Sequence, residues 1–149
     1  LQRRLQSEAF AGRLLPSVAA LLESLGTEDH IHLGLLTGNL RHGAQLKLQR
    51  FNIDHHFIDG AFGEDAEDRN RLGPIAVQRM STAQSRNFNT DEVIIIGDTP
   101  KDVACAHALG AKCLAVATGG FTVEQLQEHR PWKCLPNFED LAATIELLR

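Results

Sequence analysis

The sequence predicts an α/β fold, a Rossmann-like three-layer sandwich built on a mostly parallel sheet. Two observations carry this. Short runs of Val, Ile and Leu, of which Val93 to Ile96 is the longest, alternate along the chain with segments of helical periodicity. The runs are rich in Val, Ile and Leu and do not alternate apolar with polar residues, the pattern of parallel strands buried on both faces. In such a sheet the ligand crevice lies at the carboxyl ends of the strands. The segments that close the aliphatic runs are therefore where chemistry is expected.

In chain order, residues 1–12 read as a helix. Pro16 stands at the start of a second one, whose stripe of Val18, Leu21, Leu22 and Leu25 is ended by Gly26. Ile31 to Leu36 forms a strand that stops at Thr37-Gly38-Asn39, and Leu46, Leu48 and Phe51 belong to the helix that follows. Phe57-Ile58 and Ala61-Phe62 make a weaker strand around Asp59-Gly60, and the acidic stretch from Gly63 to Asn70 is a loop. A helix from about Leu72 to Ser85 has Pro74 in its first turn. The strand Val93 to Ile96 is halted by Gly97-Asp98, and Val103 to Leu109 is a helix capped by Gly110. Lys112 to Val116 is the next strand and turns at Thr118-Gly119-Gly120. Thr122 opens a short helix with Gln125 three residues on, and a last helix covers about Glu139 to Leu148.

The 149 residues suffice for one domain with a hydrophobic core, and 43% apolar with 23% charged residues is an ordinary globular balance. No apolar run nears the roughly 20 residues of a bilayer span, so no membrane partner is expected. A net charge of −4 and scattered Lys and Arg argue against nucleic acid. Cys105, Cys113 and Cys134 form no CxxC pair and read as free thiols of a reducing, cytoplasmic compartment. The seven histidines, including the adjacent His55 and His56, show no metal-ligand spacing. The amino-terminal segment has no signal-peptide core. It also lacks an initiator Met, as a piece of a longer protein would.

Three segments carry chemistry. Asp98 and Asp102 stand in IIIGDTPKD, one at a strand end and one entering a helix. Two convergent carboxylates there suit Mg²⁺, a hard cation with oxygen ligands; equally, both residues can serve as helix caps. Thr37-Gly38-Asn39 offers a hydroxyl and backbone N–H groups to an anion at a helix start, or else is a plain strand-to-helix turn with Asn39 as cap. Arg69 and Arg71 follow an acidic run and are either solvated counter-charges or the fixed cation that a transferring phosphoryl group requires.

In their order, a Thr ending one strand, a basic residue some 30 positions later, and GDxxxD after an aliphatic run resemble motifs II, III and IV of the haloacid dehalogenase (HAD) superfamily. The surrounding text, LGLLTGN, GAFGEDAEDRN and VIIIGDTPKDVACAHALGAKCLAVATGG, is similar to the phosphoglycolate-phosphatase-like branch over residues 14–148. The resemblance implies a Mg²⁺-dependent phosphomonoesterase acting on a small phosphorylated substrate. Thr37, with the backbone of Gly38 and Asn39, would hold the phosphoryl group; Asp98 would bind the metal and Asp102 would support it. Arg69, or as second choice Arg71, would stand for motif III, although that motif is usually a lysine followed by proline, and Arg has a wider planar head.

The same resemblance exposes a gap. Motif I, a DxD at a strand end whose first Asp is the nucleophile and whose second is the acid and base, occurs nowhere in the chain; Asp29, the one Asp before Thr37, precedes a strand instead of ending it. The family's sheet order is 5-4-1-2-3, so the missing strand would be the central one. Residues 1–13 would then be the end of a cap or its return helix and 14–149 a partial core, inactive alone. Its strands Ile31 to Leu36 and Val93 to Ile96 would have an open edge inviting strand completion or self-association. A degenerate, non-catalytic HAD domain that binds phosphate or a protein is the alternative. A nucleotide-binding domain is disfavoured by the absence of GxGxxG and GxxxxGK[ST]. Dehalogenation stays open within the superfamily, though the GDxxxD pair suits phosphate chemistry better.

Overall fold

The computed structural model describes residues 14–149; the helix expected over residues 1–12 and the cap or return segment assigned to 1–13 lie outside them. Helix α1 (Val18–Gly26) buries the expected Leu21, Leu22 and Leu25 and lies against the last helix, α6 (Leu141–Leu148). Strand β1 (Leu35–Leu36) leads into α2 (Arg41–Arg50), and β2 (Gly60–Ala61) leads through a turn of 3-10 helix (Arg69–Arg71) into α3 (Leu72–Gln84). Then come β3 (Ile94–Gly97), α4 (Pro100–Leu109), β4 (Lys112–Val116), the short α5 (Val123–Gln127) and β5 (Lys133–Leu135).

All pairings are parallel, but they form two sheets. One is β1–β2; the other runs β3–β4–β5. Strands β1 and β3 do not pair with each other, and among the described residues no strand lies between them. Among the described residues β1 and β3 thus each have an edge without a strand partner, as expected of a sheet without its first strand. Ile96 of β3 shows its effect: its register partner Leu114 is fully buried, whereas Ile96 is 42% exposed.

The β1 segment is shorter than the six-residue strand expected. Its hydrogen-bond ladder nevertheless extends beyond the two paired residues, with Ile58 N–H donating to Leu33 O (3.0 Å), Leu35 N–H to Asp59 O (2.9 Å) and Thr37 N–H to Ala61 O (3.1 Å). Strand β5 has no counterpart in the sequence reading. The four residues between Pro131 and Pro136 show no periodicity, and the strand exists because β4 offers its edge.

The core sits in the larger sheet. Ile95, Cys113 and Ala115 face Val103, Cys105 and Ala106 of α4, and all are at most 8% exposed. Leu126 of α5 joins the same cluster and, like Leu114 of β4, is at 0% exposure, each contributing about 1.5–3 kcal/mol by removal from water. Cys105, Cys113 and Cys134 are free thiols, as expected. Burial pushes the Cys113 thiol up to about 12, so it is an inert core side chain.

Candidate functional site

The loops that end β1, β3 and β4 carry Thr37, Asp98 and Gly119. Helix α4 begins with Thr99 as its cap and Pro100 in its first turn. Thr99 and Asp102 form a reciprocal capping box, in which Asp102 Oδ2 accepts from Thr99 N–H and Oγ1 (both 3.0 Å). Its other oxygen accepts from Arg69 Nη2 in an ion pair. Asp102 is 4% exposed, and it packs so closely on Gly97 that a Cβ there would collide with its carboxyl group. A buried carboxylate is tolerable only with its acceptors filled, and here both are.

Asp98 is half-buried and lies against Gly119, where a Cβ would strike its Oδ2. Gly97 of GDTPKD and Gly119 of ATGG are therefore spatial requirements of these two carboxylates. Arg69, placed by the 3-10 turn, is the arginine that reaches the site: it meets Asp102, its carbonyl accepts from Cys105 S–H (3.5 Å), and Arg71 is exposed. Arg69 Nε is buried and has no hydrogen-bond partner. Such an atom calls for an acceptor.

On the other sheet, Thr37 Oγ1 accepts from Asn39 N–H (3.1 Å). The hydroxyl thus remains able to donate its own hydrogen outward. Gly38 N–H donates to no acceptor among the described residues, and the space beside Gly38 is open. This amends one expectation: the Asn39 N–H is committed inside the loop, leaving Thr37 O–H and Gly38 N–H as the donors that can face an anion. A second amendment concerns α2. Its cap residue, Leu40, supplies no side-chain acceptor, so neither Asn39 nor Leu40 closes the helix; both carboxylate oxygens of Glu64 accept from Arg41 N–H (3.0 and 2.9 Å).

The two carboxylates of GDTPKD differ in how their oxygens are engaged. Asp98 has the chemistry of a hard-cation ligand, whereas Asp102 has its oxygens filled by Arg69 and Thr99 and fits an orienting role instead. Asp102 takes part in closing the start of α4 by accepting from Thr99 N–H.

A family profile of haloacid dehalogenase-like hydrolases matches residues 3–116, three-quarters of the chain and both site loops up to β4. The chain belongs to the haloacid dehalogenase-like hydrolase family. Among curated HAD relatives it is similar to the phosphoglycolate phosphatases of Photorhabdus laumondii and Haemophilus influenzae, each 24% identical over 91% of this chain. It spans 56% and 58% of their lengths. Its fold is also that of a candidate phosphatase from Clostridium difficile (TM-score 0.79, 21% identity, 97% of this chain and 66% of that one). A candidate HAD hydrolase from Bacillus subtilis, solved bound to magnesium, is similar with a TM-score of 0.71 at 15% identity, over 90% of this chain and 56% of that one.

Against this HAD frame, sequence reasoning overlooked a polar network around β2. Arg79 Nη1 and Nη2 clamp Asp65 (2.6 and 2.8 Å), and Nη1 also donates to Gly60 O (2.9 Å). Asp65 accepts from Phe62 N–H (2.8 Å), and Arg41 lies over the Phe62 ring while pairing with Asp59. The acidic run from Glu64 looked like a solvated loop because its partners come from α2 and α3, 23 residues before and 14 residues after. The one legible signal was GAFGED itself, two glycines bracketing an apolar pair immediately before two carboxylates.

Proposed function

We propose that these 149 residues form the receiving half of a Mg²⁺-dependent phosphomonoesterase acting on a small phosphorylated metabolite, with the aspartyl nucleophile supplied by a strand outside them. The observation that carries this reading is the break between β1 and β3. The two strands whose carboxyl-terminal loops hold Thr37 and Asp98, β1 and β3, each have an edge unpaired among the described residues. A parallel strand entering that break would end between the loops.

Thr37 O–H and Gly38 N–H then bind and orient the phosphoryl group. Arg69, fixed by Asp102, balances its charge, and the orphaned Arg69 Nε meets an acceptor brought by the entering strand or the substrate. Asp98 is the residue that would hold the metal, with further ligands from the entering strand; when bound, the cation neutralises charge on the phosphoryl oxygens. Asp102 does not coordinate in this reading. It keeps Arg69 and the start of α4 in place. The substrates of the relatives are phosphoglycolate by their names, and the leaving group chosen here is left to segments outside the described residues.

The test is a phosphate-release assay of this chain with Mg²⁺ and a generic phosphomonoester, beside a ³¹P titration with inorganic phosphate. Binding that Thr37→Ala weakens, with no turnover, is expected. Turnover by the chain alone, without an aspartyl nucleophile, would overturn the assignment of roles. A second reading, a phosphate- or protein-binding module without catalysis, draws on the exposed Ile96 at the open edge. Adding a DxD-bearing amino-terminal segment separates the two, since recovery of turnover excludes it.

A further inference from the structure

We propose that Glu64 is a positioning residue of the phosphate-facing loop, acting by closing the amino terminus of α2; this rests on the reading of Thr37 and Gly38 given above. An α-helix begins with N–H groups that have no partner within it. In α2 the residue at the cap position, Leu40, has no acceptor to offer. Glu64 fills the role from across the chain, with both oxygens on Arg41 N–H at 3.0 and 2.9 Å. A carboxylate at a helix start is also favoured by the helix dipole.

The neighbouring residue makes the contact two-sided. Gly63 N–H donates to Asn39 O (2.8 Å), and a Cβ at Gly63 would collide with Gly38 O. Gly63-Glu64 therefore meets Gly38 to Arg41 backbone against backbone, at a distance only glycine permits. The dipeptide is itself anchored. Asp65, next in the chain, holds Phe62 N–H and is gripped by Arg79 of α3, which also donates to Gly60 O in β2.

The loop is thus fixed at both ends. Thr37 N–H is tied to Ala61 O (3.1 Å) at the strand side, and Arg41 N–H is tied to Glu64 at the helix side. Between these ties stand the donors available to an anion, Thr37 O–H and Gly38 N–H, and donors held in place beforehand need no reorganisation when an oxyanion arrives. Glu64 has a second consequence. Its negative charge occupies the helix terminus, so an anion is steered to the Gly38 side of the loop and away from the α2 axis.

The experiment compares the 149-residue chain with Glu64→Ala and Glu64→Gln by amide hydrogen exchange and by titration with inorganic phosphate. Glu64→Ala should speed exchange at Arg41 and Gly63 by about five- to tenfold, the scale of losing a helix cap. It should weaken phosphate binding by a similar factor while amides of β4 keep their protection. Glu64→Gln, which retains one acceptor oxygen, should restore part of both. Unchanged exchange at Arg41 and Gly63, equal acceleration throughout the chain, or tighter phosphate binding in Glu64→Ala would each overturn the proposal. Failure of the wild type to bind phosphate would instead remove the phosphoryl-transfer reading, while local exchange still decides whether Glu64 holds the loop.

Discussion

The two halves of the site are held by different physics. The Asp98 half rests on the three-stranded sheet, where β4 is buried from Cys113 to Val116 and α4 packs directly on it. The Thr37 half rests on a two-residue strand pair, and what fixes it is a set of ion pairs and backbone contacts: Arg79 with Asp65, Arg41 with Asp59, Glu64 with the start of α2. One half is specified by volume, the other by charge and hydrogen-bond geometry. Core mutations should therefore act globally on the first, whereas single carboxylates or arginines should loosen the second locally and in a pH-dependent way.

The largest effect belongs to the core. Leu114→Ala, at a fully buried position, should cost about 2–5 kcal/mol, read as a lowered urea midpoint reported alike by both halves of the site. A shift confined to the Thr37 half would break the comparison. Next comes the Arg79–Asp65 pair, whose side chains are 32% and 15% exposed. Asp65→Asn should cost about 1–3 kcal/mol by leaving Arg79 without its charged acceptor, with increased hydrogen exchange concentrated around Gly60 to Glu64.

The pair also sets a pH limit. The hydrogen bond from Arg79 is the main cause that holds the Asp65 carboxyl down, from 3.8 to about 2. A folded value below the unfolded one means that the contribution is complete above about pH 4 and is lost as pH falls through about 2. Acid titration of wild type against Asp65→Asn should show this limb vanish in the variant; identical acid limbs would detach the charge network from stability. Thr99→Ala should then cost about 1 kcal/mol through the lost hydrogen bond from Thr99 Oγ1 to Asp102, with the loss of protection concentrated in the first turn of α4. Last, Ile96→Thr should leave the denaturation midpoint nearly unmoved. It should instead reduce self-association in light scattering, because the side chain is 42% exposed at an open edge. A clear loss of stability would mean that the edge is already covered.

Much of the larger half was legible beforehand. Val93 to Ile96 and Lys112 to Val116 announce strands by composition, Gly110 marks a helix end with its positive φ of 79°, and Thr122 with Gln125 forms the expected capping box. These signals are local, each confined to a single turn or strand. The smaller half was less legible. In β1 only Leu35 and Leu36 of six expected residues pair as strand. The loop after β1 meets Glu64 through Arg41, 23 positions away, so no spacing within the loop could announce the contact.

By itself the sequence determined the α/β class, the family, the break in the sheet and the candidate residues Thr37, Arg69, Asp98 and Asp102, because short-range periodicity and motif order encode them. Tertiary structure alone set Arg69, and not Arg71, against Asp102, gave both Asp102 oxygens partners in Arg69 and Thr99, and brought Glu64 to the start of α2. These outcomes depend on which hydrogen-bond acceptors are filled after packing. A carboxylate has the same composition whether it faces a cation from solvent or an arginine from the next helix, and only the folded neighbourhood distinguishes them.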